Sequence, residues 1–518
     1  MARVLSNNVS LRYVVETSLG VAPSTGWRLT EPNGISTFGE ELTTVARRPI
    51  SNIRGRKKGT VTDAVSNVEF EADLTMASFD DFIEGFIFSE YANVEFDLTN
   101  PKASNGPLNA TGTGFALSGA VSGLVNGTEL AAKLTSGNAS TLVHATGYLL
   151  PANNGLKVLT ADVTSASTEL ECSGLSAETA PAGAIVEVAG IRTADLTLTV
   201  TGALATLVSA SDIADWSALG LQVGQFLHIG SGTGAVENAL NGNAVFGYAR
   251  VASVSGGTLN LDKLDANLDG THTGACDVMF GKFLRNVPIE ANSNDTRYLE
   301  RTYQMEAVYP DLGGAGTDMF EYARGNTASE ISLSLPLSDK ATASWSFLGT
   351  STEDITASRK TGPSAAPAPV KTTAVSTSSD IASISTDVIS LASDVCFKDL
   401  TLTINNNTAP EKCLGSRAAD FVNVGLFEVS IEGQMLFTDK SIVDAVKNNT
   451  TVTFSTIFKN DNGAVAIDIP SMTFGGGARE FPVDASVLVS VDGQTFTDET
   501  LGYDLGVSTF PSVPTIRG

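Results

Sequence analysis

Residues able to do chemistry are sparse in this 518-residue chain, and the densest group of them is cationic. Arg47, Arg48, Arg54, Arg56, Lys57 and Lys58 crowd into one short stretch of a sequence with 57 acidic and 32 basic residues, a net charge of -25. Such a cluster can contact nucleic-acid phosphates, dock on the acidic body of a neighbouring subunit, or sit as a solvated loop. No aromatic residue interleaves to stack on bases, and so acidic a chain has no general grip on phosphates, which favours docking over nucleic acid.

Carboxylates form the second group. Glu69, Glu71 and Asp73 alternate with Val68, Phe70, Ala72 and Leu74, the pattern of a half-buried strand, and Glu428 and Glu432 recur on the polar side of a second strand, Phe427 to Glu432. Like charges two residues apart on one strand face lie about 7 Å from each other and repel unless water screens them. The expectation is a solvated face, either an outer wall or the lining of a channel.

The remaining candidates are weaker. Asp265, Asn267 and Asp269 before Gly270 copy the opening of a calcium loop, yet its twelfth position is Cys276 where a bidentate Glu belongs, and an Asx-rich turn explains the same residues. Gly230-Ser-Gly-Thr-Gly234 lacks the spacing and the following helix of a nucleotide loop and reads as a turn. His144, His228 and His272 lie in separate contexts as structural side chains. Cys172, Cys276, Cys396 and Cys413 have no metal-ligand spacing and read as small buried hydrophobes. No nucleophile elbow, phosphate loop or His-Glu-x-x-His pair occurs. The expectation is no enzyme, no cofactor and no metal; a depolymerase would need paired carboxylates that only folding could bring together.

The elements that carry the two charged groups occur twice. Glu41 to Val45, a polar loop, Asn67 to Thr75 and Ser78 to Phe88 are echoed by Leu400 to Ile404, a polar loop, Phe427 to Glu432 and Thr438 to Val446, offset by about 360 residues. Each copy reads as strand, long loop, alternating strand and short helix, with Ser78 and Thr438 as candidate N-caps. Low charge, 7% aromatic content and abundant Gly, Ser, Thr and Ala suit many short strands.

Two stretches carry a family resemblance. Lys398-Asp-Leu-Thr-Leu-Thr-Ile-Asn-Asn-Asn-Thr-Ala-Pro-Glu-Lys-Cys-Leu-Gly415 with Phe427 to Gly433, and the opening Ser6 to Glu16 with Gly26 to Asn33, resemble the major tail tube proteins of long-tailed, non-contractile (siphovirus-type) bacteriophages. The likeness covers roughly residues 1–100 and 280–518. It implies an all-β fold with short flanking helices, here duplicated tail-tube β-sandwich modules with an inserted small β-domain. It also implies stacked rings around a DNA channel, with tape measure, tail terminator and tail tip proteins as partners and DNA passing through unbound.

Along the chain the expected division is 1–100 for the first part of module one, 101–275 for an inserted β-rich domain holding a small barrel, and 276–358 for the strands that complete module one. A linker at 359–383, rich in Pro, Ser and Thr and without a core of its own, leads to the second module at 384–518. No apolar run approaches a membrane span and no export signal is visible, so a cytosolic origin is expected; the resemblance implies a place in the virion tail. A phage decoration or fibre protein and a secreted β-rich adhesin are the alternatives. If one chain supplies two equivalent modules, three chains make a ring of six, with Arg47 to Lys58 docking on the next ring and Glu69, Glu71, Asp73, Glu428 and Glu432 lining the channel.

Overall fold

The structure is a computed structural model that describes residues 5–47, 50, 52, 57–76, 78–91, 108–116, 140–161, 168–181, 184–213, 215–230, 239–288, 298–310, 318–366, 373–386, 397–437, 440–481, 483 and 486–511. It is all-β with few short helices. The first strands are β1 (Ser10–Val15), β2 (Arg28–Leu29), β3 (Pro32–Arg47) and β4 (Lys57–Asp73), followed by the helix Asp80–Ile87. Then come β5 (Gly114–Ala116), β6 (Ser140–Thr146), β7 (Gly155–Val158), β8 (Glu169–Glu171), β9 (Ile185–Thr201), β10 (Leu204–Ser209), β11 (Phe226–Ile229), β12 (Gly247–Ser255), β13 (Thr258–Asp262) and β14 (Thr271–Met279). After β15 (Phe283–Arg285) the main sheet resumes with β16 (Thr302–Tyr309), β17 (Met319–Pro336), β18 (Thr342–Gly349), β19 (Ser351–Thr352) and β20 (Ile381–Thr386). The last stretch holds β21 (Phe397–Asn405), β22 (Ala409–Glu411), β23 (Phe421–Asn423), β24 (Glu428–Leu436), the helix Ser441–Asn448, β25 (Thr451–Asn460), β26 (Gly463–Glu480), β27 (Leu488–Thr495) and β28 (Gly506–Phe510).

The repeat seen in the sequence is a repeat of topology. In the first copy β3 pairs β4, β4 pairs β18, β18 pairs β17 and β17 pairs β16; in the second the same chain of pairings runs β21, β24, β27, β26, β25. Both helices have eight residues and both end in a left-handed residue, Phe88 (φ 51) and Asn449 (φ 49), which closes the last turn. The helices pack on equivalent long strands, β17 and β26. Side chains differ where shapes are traded. Trp345 stands opposite Phe70 in the first copy, whereas Gly493 stands opposite Ile431 in the second, and Met472 fills the space so closely that a Cβ on Gly493 would come within 2.1 Å of its Cε.

The two copies share one 16-stranded sheet and one core. β21 pairs antiparallel with β17 from Glu330↔Asn405 to Pro336↔Asp399, which seats Ile331, Leu333 and Leu335 opposite Ile404, Leu402 and Leu400. A single buried cluster runs from Tyr13, Phe70, Phe82 and Trp345 through Leu402 to Ile431, Ile442 and Phe474. The segment of linker composition is tied into this body. Arg359 reaches buried Glu306, Lys360 bonds Glu353, Val375 is fully buried in the shared core, and β20 pairs β25.

Strands β9, β10, β13, β12, β11 and β14 close on one another as a small barrel with a core of its own, and β6 and β7 extend from β9. Ala184 to Val188 and Leu196 to Val200 both fall in the single strand β9, apart from Ala184 just before it. Gly190 (φ 151) is what lets the chain pass through there, since a Cβ would meet Val278 O at 2.2 Å. The barrel docks on the second repeat. Phe226 and Tyr248 pack on Ile457, Ala464, Ala466 and Phe510, and Arg250 bridges Asp262 of its own strand neighbour and buried Asp468 of β26, both contacts between 2.7 and 2.9 Å.

Helix starts depart from expectation. The helices begin at Asp80 and Ser441, their N-cap residues are Phe79 and Lys440, and neither makes a side-chain cap bond. Packing of the apolar face fixes their position instead. Thr438 lies outside the described residues.

Candidate functional site

The sheet has two unlike faces. One carries the core residues and both helices. On the other, the register aligns polar side chains in rows that cross the seam between the repeats. Glu69, Ser346, Glu330, Asn405 and Glu428 form the first row; Glu71, Ser344, Ser332, Thr403, Ser430 and Gln494 the second; Asp73, Thr342, Ser334, Thr401, Glu432 and Asp492 the third. The physical cause is strict alternation in each strand, as in Glu330-Ile-Ser-Leu-Ser-Leu335 and Leu400-Thr-Leu-Thr-Ile404.

No Lys or Arg stands in these rows, while carboxylates occupy both ends of each outer row and one end of the middle one. Glu71, Glu428 and Glu432 are exposed; Glu69 and Asp73 are half-buried. The contacts hold the carboxylates without neutralising the face. Thr37 Oγ1 bonds Glu69 at 3.2 Å, Asn405 Nδ2 bonds Glu330 at 2.8 Å and Asn407 Nδ2 bonds Glu428 at 3.0 Å. Asp73 is the exception, paired with Lys340 at 2.8 Å from the β17–β18 turn and bonded by Asn33. Partial burial pushes its carboxyl up, and the bonds from Asn33 and Lys340 outweigh that and hold it below its ordinary value.

The two sequence-predicted carboxylate sets, one per repeat, thus lie on one continuous face, separated by hydroxyls. Sequence reasoning missed the hydroxyl rows between them; the signal was the Ser and Thr alternation of β17 and β21, which has meaning only once the strands are known to be neighbours.

A profile of the phage tail tube protein family matches residues 6–495. The chain belongs to that family. No curated protein matches it significantly. In this tail tube protein the match spans both repeats and the barrel between them.

The described part of the basic cluster sits at the end of the β3–β4 pairing. Arg47 and Lys57 are register partners at the described end of that hairpin, and Lys58 follows; all three are exposed. Arg48, Arg54 and Arg56 lie outside the described residues. The sequence pattern read a long loop here, but β3 and β4 continue pairing up to Arg47 and Lys57, because Thr and Val at alternate places suit strand. Near its base the hairpin meets the second repeat, where Lys412 bonds Asp63 and the Ala64 amide donates to Arg417 O. Leu42, level with Ala64, and Val45 and Ile50 further along the chain are exposed.

The other candidates resolve as internal structure. Asp265 Oδ2 accepts the Tyr248 amide at 2.7 Å and Asn267 donates to Phe246 O at 3.0 Å, so the calcium-like residues brace a turn, with Gly270 at φ 103. Among the described residues no cluster of His, Cys, Asp and Glu has the makings of a metal site. His144 and His228 are pushed by burial to about 4, and His272 bonds Asp269 O at 2.7 Å. Burial pushes the Cys172 and Cys276 thiols up to about 12. Cys413 is exposed near the β22–β23 turn, against the expectation of a buried hydrophobe, because that turn stands off the core; Cys396 lies outside the described residues. No described helix is long and apolar enough to cross a membrane.

Proposed function

We propose that this tail tube protein is the building unit of a siphovirus-type tube, in which three chains close a pseudo-hexameric ring and rings stack around a channel that conducts DNA. The observation that carries this reading is the pair of topologically equivalent repeats joined in one sheet with a single polar, acidic face. Helices cover the opposite face in both repeats, so a ring with its helices outside turns Glu69, Glu71, Asp73, Glu428 and Glu432 to the channel. Carboxylates and hydroxyls there repel or slide past phosphates, so DNA passes without being held.

In this reading the hairpin tip with Arg47, Arg48, Arg54, Arg56, Lys57 and Lys58 docks on the acidic body of the next ring, and the exposed Leu42 and Val45 are covered there. Assembly takes place in the host cytoplasm, and tape measure, tail terminator and tail tip proteins are its partners. The barrel and its flanking strands project outward, and the units follow the boundaries 1–100, 101–275, 276–358, 359–383 and 384–518. Electron microscopy of the purified protein tests this: uniform tubes with three chains per ring are expected, and six chains per ring, or filaments without a lumen, would overturn it.

A further inference from the structure

The helix Asp80–Ile87 leaves a hollow beneath it. Asp80, Ile83 and Ile87, spaced three and four apart and so on one face of the helix, all line a cavity of about 80 Å³. Its floor is the seam between the repeats, Ile331 and Leu333 against Ile404 and Leu402, and its far wall is Ile467 of β26 and Val507 of β28. The cavity is closed on most sides and lined almost wholly by apolar groups. Where it approaches solvent the rim is Leu74, Thr75, Ile83, Val465 and Thr509, all half-buried, together with Asp80.

Asp80 stands where the pattern of this helix face calls for an apolar residue, and among the described residues it is the one charge in the lining. Three carboxylates belong to the helix. Asp81 pairs with Arg28 at 2.9 Å and Glu84 pairs with Arg301, whereas Asp80 has no hydrogen bond or ion pair among the described residues. Burial pushes its carboxyl above the ordinary value; the charge of Lys282 pulls it back, but that ammonium sits on Glu187 at 3.8 Å. Tyr91 is 6% exposed, and its hydroxyl also lacks a hydrogen-bond partner among the described residues. Asp80 is the charge that acts on that hydroxyl most strongly. A carboxylate left unpaired beside an apolar hollow is costly unless a cation joins it.

We propose that this cavity binds a small primary ammonium with a short alkyl chain, its nitrogen on Asp80 and its chain over the seam. Charge and size both select that class. An anion would meet Asp80 with like charge, and a neutral molecule would leave the carboxylate unpaired. An apolar cavity of about 150 Å³ accepts benzene, so one of roughly half that volume takes a straight chain of about three to five carbons. Closure on most sides suits a free amine better than a lysine side chain carried on a backbone. Every lining residue belongs to one chain, so binding needs no assembly. Occupancy joins the helix, both sides of the seam and β28, and the bound form should resist unfolding more than the empty one.

Titration calorimetry of the full-length protein with n-alkylammonium chlorides tests this, with isoleucine methyl signals in NMR to locate the site. Affinity should rise about fourfold for each methylene from methylammonium to n-butylammonium, the worth of one buried CH₂, and stop rising by n-hexylammonium. n-Butanol should bind about tenfold more weakly or worse, lacking the charge-assisted bond, and n-butyrate should not bind. Signals of Ile83, Ile331, Ile404 and Ile467 should shift, and those of the exposed Ile185 and Ile355 should stay. Asp80→Asn keeps the shape and removes the charge, so it should fold normally and lose the preference for the ammonium over the alcohol. Ala343→Leu, which fills the cavity from β18, should remove binding of both; if it fails to fold, Asp80→Asn decides alone. Equal binding of ammonium and alcohol, shifts spread over the surface, binding unchanged in Asp80→Asn, or no binding at all overturns the proposal. So does equal binding of Nα-acetyl-lysinamide, which would make the occupant a lysine side chain.

Discussion

Leu333 and Leu402 face each other across the β17–β21 seam, and at that pair two repeats of one chain become a single sheet. Both are buried and both belong to the core that runs through the two repeats. A side chain lost here is felt by both halves.

Leu402→Ala should therefore destabilise the whole sheet by about 2 to 5 kcal/mol, the range for emptying a buried leucine site. Denaturant unfolding measures it. Adding Leu333→Ala should cost less than the sum, because the two share one cavity. Strict additivity would mean that the repeats unfold independently.

Arg250 holds the barrel to the second repeat through Asp468, which is 1% exposed and also accepts the Tyr503 hydroxyl at 2.8 Å. Arg250→Ala leaves that carboxylate buried and unpaired, a loss of about 3 to 5 kcal/mol. Protease cleavage between barrel and sheet should accelerate. Combining Arg250→Met with Asp468→Leu should recover most of the stability, since no fully buried charge then remains and Asp262, the other partner of Arg250, keeps some contact with solvent.

His228 is fully buried, and burial depresses its imidazole to about 4 from an ordinary 6.5. The unfolded chain takes up a proton between those values and the folded chain does not. Stability is thus intact above pH 6.5 and is lost as pH falls toward 4, by about 3 kcal/mol across the window. His228→Asn, whose amide can keep the bond to Gly230 O, should flatten the acid limb of melting temperature against pH. An unchanged limb would place the acid sensitivity elsewhere.

Reversing the face charge is the functional counterpart. Glu71→Lys, Glu428→Lys and Glu432→Lys together should leave the fold and tube assembly intact, because all three are exposed. The tubes should then retain short duplex DNA at low salt and release it steeply as salt rises, where unaltered tubes retain none. Retention of DNA only on outer surfaces, seen by microscopy, would place this face outside the channel.

Neutralising the hairpin tip, with Arg47→Gln, Lys57→Gln and Lys58→Gln, should slow tube growth several-fold and spare single rings, since the three are exposed and at the end of the arm. Growth at the unaltered rate would return the cluster to a solvated turn.

The sequence by itself determined the all-β class and the alternation that sorts Val68 and Phe70 from Glu69 and Glu71. It also determined the existence of a repeat, because period-two patterning and helix length are local properties of the chain. Only the tertiary structure decided that β21 lies on β17, that the Ser and Thr of both strands join the carboxylates in common rows, and that the stretch read as a linker buries Val375. Those facts depend on which strands become neighbours over hundreds of residues. The repeats also exchanged bulk between partners, Trp345 for Met472 beside Gly493, so topology persisted where residue identity did not. The helix starts and the β3–β4 arm were misjudged for the same reason: packing and pairing partners, absent from any local window, outweighed capping and loop signals.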